Sequence, residues 1–394
     1  MDAPKTYRQK GDKKPVKKIC YVTTVSGTLR SFVLPVAKYL AEHTDWEIYM
    51  MANSDPDFEK TLPESIHFIP VPMARGISIG GIKAMLKMRK IFKREKFDLV
   101  QYSTPNAALY ASMAAKAARV PVRLYCQWGM AYVGMHGLKR KIFKFIERQV
   151  CKMSTWIEPD SNSNLNFAIK EGLYKADKAC VIGNGSACGV NLNKFNIAKK
   201  EEYRKKIREE YNIPQDAFVY GFVGRITRDK GINELFTAFK KIYEENQTAR
   251  LLMVGSIENE EVLNSNLLAW SRNCKNVVFV GSTNVVEQYL SAIDCYVLPS
   301  YREGFGMGTI EAEAMGVPVI VTEIPGPIDA MLPNITGKLV PKADAEALYN
   351  AMKEIPSDDL LSFGENGRSF AEENFEQQKL CQLIFEDRKR LLGK

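Results

Sequence analysis

Two acids and two cations hold most of the chemical potential of this chain. Glu303 and Glu311 bracket a glycine-rich turn, Gly304-Phe305-Gly306-Met307-Gly308-Thr309. An ionised carboxylate carries only acceptors, so it suits the hydroxyls of a sugar. Arg225 and Lys230 stand in a second loop, closed at its ends by Gly224 and Gly231. Arg offers a planar fork and Lys a point charge, a combination suited to a diphosphate. The glycines let the backbone come close to a ligand. Taken singly, each loop also fits an ordinary charged connection, with Glu303 solvated and Glu311 simply helical.

Positioning these groups takes strands and helix starts. A strand over Cys295–Pro299 leads into the 303–309 turn, and a helix from Thr309 to Met315 leads out. Free N–H groups and the dipole at such a helix start favour a phosphate. A strand over Ala217–Val223 feeds the Gly224–Gly231 loop, and a helix over Ile232–Asn246 follows. Further strands are expected at Arg250–Gly255, Val277–Gly281, Val317–Thr322 and Lys338–Val340. Ligands of open α/β sheets sit at the carboxyl edge of the strands. Gly255 and Gly281 end strands at that edge, where a nucleotide base could lie against backbone.

The first half repeats the pattern, with strands at Lys18–Thr24, Trp46–Ala52, Ile66–Val71, Leu99–Ser103, Val122–Gln127, Thr155–Pro159 and Ala179–Ile182. A helix is expected over Leu29–His43, kinked at Pro35. Alternating β and α segments imply parallel sheets with helices on both faces. A length of 394 residues points to two domains. The expected division is a basic tail at 1–17, an N-terminal domain at 18–190, a C-terminal domain at 200–375, and a terminal helix at 376–394. Residues 186–200 form the linker.

A net charge of +9 points to an anionic partner. The tail carries Lys5, Arg8, Lys10, Lys13, Lys14 and Lys17 and almost nothing apolar, which reads as a disordered segment. Residues 80–96 and Leu138–Met153 read as basic amphipathic helices on one side of the first half. They fit a core-packed helix with a charged outer face, and contact with an anionic membrane surface as well. No recognisable nucleic-acid motif accompanies them. Between them, residues 127–137 form an apolar, glycine-punctuated loop. It could line an acceptor pocket or lie buried against the second domain.

Asp55-Pro56-Asp57 has metal-binding spacing but reads as a loop turn. The eight cysteines form no C-x-x-C pair, and the histidines number three, so a reduced protein without a His-rich metal site is expected. No apolar run approaches a membrane span, and no signal peptide is expected.

Seven residues separate Glu303 from Glu311. That spacing resembles the signature of retaining, nucleotide-sugar-dependent family 4 glycosyltransferases, which have the GT-B fold. The flanks are similar too: Ala292-Ile293-Asp294, Ala314-Met315-Gly316-Val317-Pro318-Val319, Pro325-Gly326-Pro327-Ile328-Asp329 and Thr336-Gly337-Lys338-Leu339-Val340-Pro341. Val223-Gly224-Arg225 with Lys230-Gly231 resembles the family's donor-diphosphate loop. In the first half, Ser103-Thr104-Pro105-Asn106, Glu147-Arg148 and Gly183-Asn184-Gly185-Ser186 resemble the subgroup that builds bacterial capsule, exopolysaccharide and lipid-linked oligosaccharide.

The resemblance implies two Rossmann-like domains across a cleft, with the last helix crossing back to the first domain. It implies metal-independent transfer, with retention, of a hexosyl or N-acetylhexosaminyl group. The donor is a nucleotide-diphosphate sugar, with UDP favoured, and no cofactor is needed. The acceptor is a glycan, expected on a polyprenyl diphosphate. Glu303, Arg225 and Lys230 would act in catalysis. Glu311, Gly304, Phe305, Gly306, Met307, Gly308, Thr309, Gly224 and Gly281 would bind the donor. Gly27, Thr104, Trp128, Gly129 and His136 would line the acceptor side. The family commonly has a histidine where this chain has Trp128, so either His136 or no histidine substitutes. The implied location is cytoplasmic, on the inner face of the cell membrane. A GT-B sugar-nucleotide epimerase and a degenerate glycan- or nucleotide-binding module are the rival readings. The scarcity of histidines argues against the first.

Overall fold

The computed structural model describes residues 16–74, 76 and 78–393. The basic tail therefore lies outside the described residues, apart from Val16 and Lys17. Short apolar runs build two sheets of six strands each. The first contains β1 (Lys18–Val22), β2 (Glu47–Ala52), β3 (Ile66–Pro70), β4 (Leu99–Tyr102), β5 (Val122–Gln127) and β6 (Trp156–Pro159). The second contains β7 (Val219–Val223), β8 (Arg250–Val254), β9 (Val277–Gly281), β10 (Cys295–Leu298), β11 (Val319–Thr322) and β12 (Gly337–Val340). Every neighbouring pair is parallel.

The first sheet runs β3-β2-β1-β4-β5-β6, and the second, read from its β9 edge, runs β9-β8-β7-β10-β11-β12. The two orders are the same doubly wound arrangement. In each, the strand order reverses at the centre, between β1 and β4 or between β7 and β10, and a crevice opens there at the carboxyl edge. Residues of β4, β10 and β11 are buried throughout. Helices on both sheet faces explain why these strands read as continuous apolar runs. The architecture is GT-B.

Three segments differ from their sequence reading. Ala179–Ile182 is no strand; only an isolated bridge joins Ala179 to Ile157. The positive φ of Gly183 (56°) and Gly185 (105°) turns the chain toward the second domain before a ladder can form. The 29–43 segment is helical as expected, but not uniformly: Leu29–Val33 winds as a π-turn and Leu34–His43 continues as α-helix. Pro35 sits directly behind the π-turn, so the change in helical winding coincides with the residue that lacks an N–H. Asp55 caps a short helix, Pro56–Lys60, its carboxylate accepting from Phe58 N at 2.9 Å and from Ser26 Oγ at 2.5 Å.

The chain crosses between the sheets twice, and the crossings pair. Val190 N donates to Phe375 O at 2.7 Å, and Gln377 N donates to Val190 O at 3.0 Å. Gly189, at φ 68°, lies so close that an added β-carbon would be 2.7 Å from Phe375 O. The last helix, Gln377–Leu392, then packs Leu380, Cys381, Ile384 and Leu391 into the core beneath β1 and β2.

Its Arg388 is fully enclosed. The guanidinium donates to both Glu158 oxygens, at 2.5 and 2.8 Å, and to Gln101 Oε1 at 3.0 Å. Fork geometry and the extra hydrogen bond make the buried charges tolerable. Arg388→Ala would strand the buried Glu158 without a cation, while Asp387 would keep only Arg390. It should cost about 3–5 kcal/mol, seen as a fall in the urea midpoint of the N-terminal domain. An unchanged midpoint would mean that the network contributes nothing.

Candidate active site

The carboxyl edges of both sheets face a shared cavity of about 510 Å³, a size ordinary for a small-molecule site. Loops after β7 and β10, neighbours at the centre of the second sheet, form one wall. Lys230 comes from the first loop and Glu303 from the second, and Nζ meets Oε1 at 2.5 Å. Both side chains are mostly shielded from water. Two further bonds tie the loops: Tyr301 N to Asp229 O at 2.8 Å, and Arg302 Nη2 to Asp229 Oδ2 at 2.7 Å. Arg225 stands at the mouth with its side chain 54% exposed, 3.0 Å from Glu258.

The glycine turn is shaped by contacts that exclude side chains. Gly306 has φ 88° and opens the helix Met307–Ala314. A β-carbon on Gly308 would collide with the Tyr296 hydroxyl. Met307 and Gly308 begin the helix without a side-chain cap, so their N–H groups have no partner one turn back. They line the cavity together with Gly304, Gly306 and Gly224. Thr309 does not share this role. It is fully buried, and its N–H already donates to Gly306 O at 2.8 Å. Phe305 touches the cavity but anchors the turn, its ring 5.0 Å from that of Phe375. Gly281 sits at the end of β9 and is not on the wall; its carbonyl accepts from Gly255 N at 2.8 Å.

Glu311 follows one helical turn later and opens onto the cavity. No cation lies within salt-bridge distance of it among the described residues. Burial pushes its carboxyl up to about 7; Glu287 adds to the rise and Lys194 opposes it.

The first sheet supplies the opposite wall. Thr104 lies there with φ 65°, a strained setting for a β-branched residue. Its Oγ1 bonds Thr24 N at 3.2 Å and Thr24 Oγ1 at 2.9 Å. Trp128 also faces the cavity, with its ring 5.6 Å from Phe32. Gly129 serves instead as a contact between domains: a β-carbon there would lie 3.1 Å from Gly304 N. Gly27 is exposed at the rim, beside the lining residue Thr28. His136 is exposed at the start of the helix Gly137–Met153 and stays off the wall, so it does not take the place next to Trp128. The apolar 127–137 loop is packed in part against the second domain, with Gly134 meeting the Arg302 side chain.

Sequence reasoning missed Asp160, Thr28 and Ser31, all on this wall. Asp160 directly follows β6, so its place at a strand's carboxyl end was the available signal. Burial, with Glu303 and Asp329 adding, pushes its carboxyl up to about 8. Among the described residues, no group of three or more His, Cys, Asp or Glu could hold a metal ion.

Residues 18–161 match the family described as Glycosyl transferase 4-like, and residues 203–370 match Glycosyl transferases group 1. The chain belongs to this glycosyltransferase family. Its relatives include the capsular polysaccharide biosynthesis glycosyltransferase CapM of Staphylococcus aureus, 32% identical over 336 residues, or 84% of this chain and 87% of CapM. An Escherichia coli relative is the UDP-Gal:alpha-D-GlcNAc-diphosphoundecaprenol alpha-1,3-galactosyltransferase, 27% identical over 82% of this chain and 83% of that protein. Among solved structures, Anabaena HepE in complex with UDP superposes with a TM-score of 0.75. It covers 95% of this chain and 100% of HepE at 18% identity, a likeness of fold alone.

In this glycosyltransferase the raised carboxyl of Glu311 makes a pH prediction. Ionising it burdens the folded chain but not the unfolded one. Its contribution to stability is full below the ordinary value of 4.5 and is lost as pH rises through about 7. Glu311→Gln should therefore raise Tm at pH 8, by up to roughly 3 kcal/mol of stability, and change it little at pH 5. Equal shifts at both pH values would remove the argument.

Proposed function

We propose that this glycosyltransferase moves a hexosyl or N-acetylhexosaminyl group from a UDP-sugar to a lipid-linked glycan, with retention, in bacterial surface polysaccharide assembly. The observation that carries the reading is the Lys230–Glu303 pair, bridging two glycine-bearing loops over one cavity. The names of the CapM and galactosyltransferase relatives support the acceptor class and the pathway. The galactosyltransferase's donor supports UDP.

A donor diphosphate entering this corner meets Lys230, Arg225 and the N–H groups of Met307 and Gly308. Lys230 then shares its charge with phosphate, which frees Glu303 to accept from sugar hydroxyls. Glu311 accepts from the ribose hydroxyls. As the glycosidic bond breaks, negative charge gathers on the leaving diphosphate, and the same donors stabilise it. The acceptor hydroxyl attacks from the face that the diphosphate leaves, and the leaving phosphate takes its proton. Closure of the two domains excludes water and limits hydrolysis. The cations supply the charge that a divalent metal would otherwise bring, so transfer proceeds without one.

The acceptor side of this reading includes a membrane face. The helices Ile79–Glu95 and Gly137–Met153 flank Pro105–Ala118 on one side of the first sheet. They expose Ile79 (75%), Leu138 (72%) and Phe145 (61%) amid lysines and arginines. Apolar groups with surrounding cations suit an interface rich in anionic lipid. Among the described residues no helix is long and apolar enough to cross a membrane. The protein would work from the inner face of the cell membrane.

Two experiments test the reading. Lys230→Ala and Arg225→Ala should each lower kcat/KM for the best UDP-sugar by about 10²–10³, the scale for loss of one charge-stabilising donor. Their circular dichroism should be unchanged, and EDTA should leave wild-type activity intact. Wild-type rates in both variants would remove the diphosphate role. In flotation with phosphatidylglycerol vesicles, the Leu138→Ser/Phe145→Ser double variant should lose most binding, and the remainder should fall with salt. Binding equal to the wild type would remove the membrane face.

A further inference from the structure

Asp160 has a place in the cleft but no part in the chemistry described so far. It lies just beyond β6, only 4% exposed. Its backbone oxygen accepts from Ser186 N at 2.7 Å, which fixes the residue at the start of the crossing to the second domain. Asn164 Nδ2 donates to Oδ1 at 3.3 Å and to Gly304 O at 2.6 Å. The Oδ2 atom lies against Gly304, so close that a β-carbon there would collide with it. The residue's own backbone N–H also hydrogen-bonds the carboxyl, and no cation among the described residues pairs with it. The carboxyl lines the cavity that Trp128, Lys230 and Glu303 also line.

A polar group so enclosed needs a partner. A phosphate does not fit, because Glu303 and Asp329 make the surroundings acidic. A sugar hydroxyl does fit, since it can both donate and accept. We propose that the Asp160 carboxyl is a further sugar-binding group, holding a hydroxyl of the transferred hexose from the side opposite Glu303. The proposal rests on the donor reading above and adds the residue of the first domain that meets the donor sugar. It supplies a polar contact on the wall where Trp128 presents an indole. Closing the cleft on a bound sugar then links the two domains through the sugar itself.

Burial is the main cause of the raised Asp160 carboxyl, and the acids around it add to the shift. Glu303, neutralised in part by Lys230, faces it from the turn after β10, and Asp329 faces it from the 3-10 turn Pro327–Asp329. Tyr174 lies on its own side, and Glu158 with Arg388 lines the adjoining small cavity. With the carboxyl pushed up to about 8, Asp160 is neutral at pH 7 and can donate to the sugar. Above that pH it ionises and adds a second negative charge opposite Glu303. Donor-sugar affinity should therefore fall as pH passes 8.

Calorimetric titration with UDP, UDP-glucose, UDP-galactose, UDP-N-acetylglucosamine and UDP-N-acetylgalactosamine tests this. Asp160→Ala should bind UDP as the wild type does but bind the preferred UDP-sugar at least tenfold more weakly. Asp160→Asn, which mimics the neutral carboxyl, should match the wild type at pH 7. It should stay level to pH 9, where the wild type loses about tenfold. Equal loss of UDP and UDP-sugar affinity in Asp160→Ala would assign the residue to packing and overturn the proposal. So would an unchanged UDP-sugar affinity in that variant, or a pH profile in Asp160→Asn like that of the wild type. A wild type that binds no member of the panel overturns the donor reading, and this proposal with it. Variants indistinguishable from a wild type that does bind overturn this proposal alone.

Discussion

Lys230 and Glu303 hold each other at 2.5 Å in a cleft mostly closed to water. A lone charge in such a place is costly, and each group makes the other tolerable. The pair also joins the loop after β7 to the loop after β10. Gly231 makes this approach possible, because any β-carbon on it would strike Pro299 O. A diphosphate would offer the lysine a second anion, and sugar hydroxyls would offer the glutamate donors. Glu311 differs: no cation among the described residues lies within salt-bridge distance of it, and burial raises its carboxyl.

The repeated strand order explains why this corner has an opposite wall at all. In the second sheet, the cation loop and the glycine turn follow the two strands on either side of the central reversal. The matching loops of the first sheet follow β1 and β4. They bring Thr24 and Thr104 into hydrogen-bond contact, and Thr28 onto the cavity. Two copies of one topology therefore present their open crevices to each other. The contacts that set the spacing are short and mostly backbone: Gly129 on Gly304, Asn164 on Gly304 O, and Ser163 N on Asp329 at 2.8 Å. Even a single added β-carbon at Gly129 would press on them.

The terminal helix gives the first domain a role beyond its own segment of chain. Residues 377–392 complete the core under β1 and β2, and Arg388 ends in a network that includes Glu158 of β6. Asp160, two residues beyond Glu158, is thereby set on a firm base. The chain passes between the domains at Val190 and Phe375, where the two crossings hydrogen-bond each other.

The sequence by itself determined the alternating strands and helices, the number of sheets, and the two loops that carry charge. Apolar runs of strand length and glycines at their ends are local signals, and local chemistry decides them. Arg225, Lys230 and Glu303 stand in loops that follow buried strands and Glu311 one turn into the next helix, and the spacing of the two acids resembles a family signature. Only the tertiary structure decided which side chains meet. Lys230 and Glu303 are 73 residues apart and Arg388 and Glu158 are 230 apart, and no periodicity links them. It also decided that His136 lies off the wall, that Thr309 spends its N–H within the turn, and that Asp160 faces Gly304. Those outcomes depend on how two rigid sheets and one returning helix pack, which is a property of the assembled core and not of any segment within it.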